Sequence, residues 1–155
     1  MEKVEILDPY KMYEQGCAFY DIGDICVKEP NPFKNRKKTH NVAGLTNFAF
    51  SCELFMKTII VFKEINNKPY GHDLFELWMK IKEKENQLAL LVEEKINSMY
   101  RSKQENLFDE RLIVSKDKFE ELRYIYEYSK IKCDPNFIKY LSTILKSVCE
   151  DLLNI

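Results

Sequence analysis

Apolar side chains return every three or four residues along most of the chain, which is the spacing of amphipathic helices. From Pro9 onward, Tyr13, Gly16, Cys17, Tyr20, Gly23 and Val27 fall on one helical face. The pair Asp8-Pro9 marks the start of this helix. An aspartate caps the first free amides, and proline fits the first turn, where its missing N–H is not needed. Gly16 and Gly23 are placed to let a neighbouring helix come close. Asp134-Pro135 repeats the start signal ahead of Phe137, Leu141, Ile144, Leu145, Val148 and Leu152, a clean amphipathic stripe. Between these, residues 41–65 carry Val42, Leu45, Phe48, Ala49, Cys52, Phe55, Met56, Ile59 and Phe62. A helix so nearly apolar all round belongs in the middle of a bundle.

The remaining elements are shorter. EPNPFKNRKKTHN has two prolines and no apolar period, so it reads as a loop. After the turn-rich NNKPYG, residues Leu74, Leu77, Trp78 and Ile81 make a third helix. The polar run KEKENQ separates it from a fourth with Leu88, Leu91, Val92, Ile96 and Met99. Residues 102–114 read as an irregular connector, and Ser115 as the cap of a fifth helix carrying Phe119, Leu122 and Tyr126. With no strand pattern and no repeat, the expectation is one all-α domain over residues 1–155, a bundle of about five to six helices.

Composition narrows the function classes. The 155 residues include 24 basic and 25 acidic side chains, a balance that argues against a general nucleic-acid coat and leaves room for a local patch. The chain has 45% apolar residues, too many for a disordered polar segment, and only 4 glycines and 5 prolines, too few for a many-turned β fold. Five cysteines with no C-x-x-C spacing, and only two histidines, give no basis for a metal site or a cofactor. MEKVEILDPY lacks the apolar core of a signal peptide, and the apolar stretch Leu45–Phe62 is broken by Glu53 and Lys57. The expected setting is cytoplasmic and reducing, with no membrane span.

Four groups of residues could carry chemistry. Arg123 falls four residues after Phe119 and three before Tyr126, so helical spacing turns it toward the apolar face. There it needs a carboxylate, Glu53 or Glu127, or else an RNA phosphate in a shared cleft. Glu53 and Lys57 are spaced i,i+4 in the favourable order, which reads as a structural ion pair. In GHDL, His72 or Asp73 caps the third helix, or His72 works as a general acid–base, since imidazole titrates near neutral pH. Lys34, Arg36, Lys37 and Lys38 form a basic cluster beside Phe33, either a solvated loop or a track for an RNA backbone.

NFAFSCELFMKTII, KPYGHDLFELWMKI and FEELRYIYE, in that order over about residues 41–130, together resemble the HEPN superfamily of small helical domains. The resemblance implies a homodimer with any cleft at its interface. It also implies a bacterial defence or toxin–antitoxin setting, RNA or a nucleotide as ligand, and in some members a nucleotidyltransferase antitoxin as partner. Active members are metal-independent ribonucleases whose signature is arginine, four to six residues, then histidine. Arg123 matches the arginine, while the histidine positions hold Tyr128, Ser129 and Lys130. A tyrosine with an ordinary pKa of about 10 is a poor base at neutral pH. The leading expectation is therefore a catalytically degenerate domain that is a nucleic-acid- or nucleotide-binding or accessory protein. The alternatives are an active endoribonuclease using Arg123 with Tyr128 or His72, and an interaction module docking a protein through Tyr124, Tyr126 and Tyr128.

Overall fold

A computed structural model describes residues 6–35, 37–100 and 106–155. Among them the chain is all helical: α1 (Pro9–Val27), α2 (Lys38–Phe62), α3 (Leu74–Lys84), α4 (Asn86–Ser98), α5 (Phe108–Ser115), α6 (Lys118–Arg123), a 3-10 turn (Ile125–Glu127) and α7 (Pro135–Leu153). The all-α bundle expected from the periodicity is the fold observed.

The predicted starts of the first and last helices are present as geometry. The Asp8 carboxylate accepts from the Tyr10 and Lys11 amides at 2.9 and 3.4 Å, and the Asp134 carboxylate accepts from the Phe137 amide at 3.0 Å. KEKENQ does break α3 from α4, at Glu85. Two local expectations are corrected. Part of the supposed connector is α5, which buries Phe108, Leu112 and Ser115 at i, i+4 and i+7. Ser115 is thus the end of a helix and not a cap; its hydroxyl is buried without a hydrogen-bond partner among the described residues. α6 starts three residues later and lasts only six.

α2 occupies the middle, with α1, α3, α6 and α7 packed around it. It is long and apolar enough by composition to cross a membrane, but most of its surface is covered by these neighbours, as in the core helix of a globular domain. Phe48, Ala49, Cys52, Phe55, Met56, Ile59 and Ile60 are all fully buried. α7 meets α2 along a polar seam: the Ser51 and Ser142 hydroxyls are hydrogen-bonded, and the Cys52 and Cys149 thiols donate to the carbonyls of Ile138 and Phe55. Burial pushes both thiols well above their ordinary pKa, which suits their use as small apolar groups.

α1 and α2 touch through glycines. A Cβ on Gly44 would lie 2.6 Å from the Val27 side chain, and one on Gly23 would lie 3.0 Å from the Gly44 carbonyl oxygen. A Cβ on Gly16 would lie 2.6 Å from the Phe55 ring, which is fully buried and has no room to retreat. Gly16→Val is therefore expected to cost about 1–3 kcal/mol by overpacking. Thermal denaturation should show it as a drop of roughly 2–4 °C per kcal/mol; an unchanged melting temperature would contradict the close approach.

Candidate functional site

The turn between α2 and α3 sets up the most chemically suggestive group. Gly71 has φ +88°, a conformation that favours glycine, in the link that leads into α3. Asp73, not His72, then caps α3, accepting from the Glu76 amide at 3.0 Å. His72 is left free to swing against α2. Its Nδ1 lies 2.9 and 3.0 Å from the two oxygens of Glu53. A carboxylate only accepts, so Nδ1 carries the hydrogen. In neutral imidazole the lone pair is then on Nε2, which makes no hydrogen bond among the described residues.

Glu53 is almost wholly buried at 1% exposure, and Lys57 Nζ donates to the same carboxylate at 2.7 Å. The expected Glu53–Lys57 ion pair is present, with His72 as an additional partner. These contacts answer the physical problem of a buried carboxylate, which needs charge and hydrogen bonds around it. They also fix an imidazole whose side chain is about half exposed, 49%, with its orientation set by an acid behind it. That is the arrangement by which a histidine is prepared for proton transfer.

Arg123 departs from its predicted place. α6 begins at Lys118 and ends at Arg123, so Leu122 takes the buried position while Arg123 and Tyr126 are exposed. The arginine reaches neither Glu53 nor Glu127, and no ion pair is formed to it among the described residues. Its guanidinium instead lies over the Phe119 ring at 4.6 Å and near Tyr124 at 5.2 Å, within cation–π range. Phe119 stacks on Phe50 at 4.2 Å between ring centres, and Phe50 meets Phe19 edge-on. The His72 ring lies 6.0 Å from Phe119. Arg123 and His72 thus both border one half-buried phenylalanine, a juxtaposition that sequence spacing did not reveal.

The basic cluster lies at the head of α2. Lys34, Lys37 and Lys38 are exposed and unpaired among the described residues; Arg36 lies outside them. Their loop is built and not merely solvated. The Asn31 amide donates to the Cys26 carbonyl, Phe33 stacks on His40 at 4.8 Å, and the Lys37 amide donates to His40 Nδ1 at 2.9 Å. His40 thereby closes the start of α2, a role its place in a polar loop did not suggest. Tyr128, half-exposed beyond the 3-10 turn, makes no side-chain hydrogen bond or ring contact with Arg123 or His72. Among the described residues no group of three or more His, Cys, Asp or Glu side chains is placed to hold a metal ion. No family model, curated protein or solved structure matches the chain.

Proposed function

We propose that this chain is an RNA-binding domain of the HEPN type, acting as an accessory protein in a bacterial defence or toxin–antitoxin system. The observation that carries the reading is Arg123: exposed, bound to no carboxylate among the described residues, and laid over an aromatic ring. A guanidinium in that setting keeps its donors for an incoming phosphate. Tyr124 under the guanidinium and Tyr126 against Tyr124 offer faces on which bases stack, with Tyr128 exposed further along the same segment, and Lys34, Lys37 and Lys38 supply further positive charge at the end of α2.

A second reading, metal-independent RNA cleavage, is favoured by the Glu53–His72 pair. His72 Nε2 would take the proton of a ribose 2′-hydroxyl as it attacks the adjacent phosphorus, with Arg123 holding the phosphate oxygens and Glu53 stabilising the imidazolium. The proton returns to the departing 5′-oxygen, leaving a cyclic phosphate.

One experiment addresses both. Wild type, Arg123→Ala and His72→Ala, first matched for helicity and size, are titrated into labelled RNA at low salt and incubated with total RNA in EDTA. Arg123→Ala is expected to weaken binding about tenfold or more, the effect of one lost charged hydrogen-bonding group. Cleavage by wild type and not by His72→Ala would establish the enzyme; binding without cleavage would establish the accessory domain. An absence of RNA binding by wild type at low salt would overturn both and favour the protein-docking role of the tyrosines.

A further inference from the structure

The guanidinium of Arg123 has a second neighbour. Beside it, between the first half of α2 and the chain from Leu122 to Ile125, runs a groove of about 350 Å³. Val42 and Ala43 line it from α2 together with Thr39 and Asn47, and Leu122 and Ile125 line it from the other side. Among the described residues that form its walls, Arg123 is the one charged side chain. Neither Glu120 nor Glu127 lines it.

This combination selects a ligand. Walls of apolar and small polar side chains, Thr46 among them, suit a flat or narrow body with few charges, and the single cation in the lining suits one anionic group attached to it. Asn47 adds a polar reading edge: its amide N–H donates to the Ala43 carbonyl at 2.7 Å, which orients the group and leaves its oxygen able to accept. A nucleotide has this form, with a heteroaromatic base, donors on its rim and one phosphate.

The surroundings extend the same logic along α2. Lys37 and Lys38 stand at the head of the groove next to Thr39. Beyond Arg123 come the stacked Phe50 and Phe119, then Glu53 with His72. From Lys38 to Glu53 the helix rises about 22 Å at 1.5 Å per residue, the reach of a few extended nucleotides.

We propose that the groove receives the base of one unpaired nucleotide whose phosphate rests on Arg123, so that the ligand is single-stranded RNA running along α2. The proposal rests on the RNA-binding reading and adds to it the strandedness of the ligand and the place of a base. A duplex keeps its bases stacked and paired, and has none to insert.

The test is fluorescence anisotropy with a short labelled RNA oligomer, alone and annealed to its complement, over a range of salt. Ala43→Leu fills the groove from an exposed position, so the core is untouched and helicity and melting temperature should match wild type. Wild type is expected to prefer the single strand. Ala43→Leu should lose about tenfold in single-strand affinity, within the range one base contact supplies, and keep the wild-type salt slope. Arg123→Ala should lose affinity and lower the salt slope by about one, the sign of one lost phosphate contact. If Ala43→Leu binds like wild type, or the duplex binds as tightly as the single strand, the groove is not a base site while the RNA reading stands. If wild type binds neither form at low salt, both fall.

Discussion

Glu53→Ala is expected to destabilise the fold by about 3–5 kcal/mol, the usual cost of stranding one partner of a buried ion pair. Lys57, 14% exposed, would have no carboxylate to meet it, and the turn carrying His72 would lose its contact with Glu53 on α2. Glu53 is surrounded by the most buried part of the longest helix, so solvent has little access to compensate. Chemical denaturation gives the measurement. Adding Lys57→Met to Glu53→Ala should recover part of the loss, because it removes the stranded charge. A loss below about 1 kcal/mol, the range of exposed pairs, would mean that Glu53 contributes no more than a surface contact.

Trp78→Ala should be comparably severe, at about 3–5 kcal/mol. The indole is fully buried, packs 5.6 Å from the Phe108 ring, and donates through Nε1 to Glu93 at 3.1 Å. Glu93 is itself 3% exposed and also accepts from Lys82 Nζ at 2.9 Å. The alanine variant therefore opens a cavity where α3 meets α5 and takes one of two partners from a buried carboxylate. That same carboxylate raises the pKa of Lys82, mainly by hydrogen bonding, so Lys82 remains charged in either variant. Trp78→Phe separates the two effects, since it keeps most of the volume and loses only the hydrogen bond. Phe is expected to cost about 1–3 kcal/mol, the penalty for a buried acceptor deprived of a donor. Equal losses for Ala and Phe would show that the hydrogen bond, and not packing, dominates at this position.

What the sequence discloses about this protein is set by how local each signal is. Asp8-Pro9 and Asp134-Pro135 act within a few residues of themselves, and both helices start where those pairs predict. The central place of α2 follows from its apolar surface, which no single face could bury. Gly16 and Gly23 predict a close helix contact, whereas Gly44, which meets Gly23 from α2, carries no such signal apart from its neighbour. The failures come where an element is short. Phe108, Leu112 and Ser115 have helical spacing, but about two turns of it among charged residues is too short to distinguish from a connector. A regular helix from Ser115 through Tyr126 would turn Arg123 inward, whereas the actual helix starts late and stops at the arginine. The Glu53–His72 contact spans nineteen residues and depends on the left-handed turn at Gly71 and on Asp73 taking the cap. Neither spacing nor composition encodes a meeting of that kind.

The brevity of α6 has a thermodynamic consequence. Its six residues are attached chiefly to α2, through Leu122 and the stacking of Phe119 on Phe50, and every residue from Arg123 to Lys130 is exposed. Lifting such a segment exposes a few side chains and not the bundle interior, so its local opening requires much less free energy than global unfolding. Its amides then exchange with solvent on a faster clock than those in the middle of α2 or α7. Arg123 is carried on this latch. A polyanion that closes the latch must offset the entropy of fixing it, and exchange protection gained in α6 alone would record that cost.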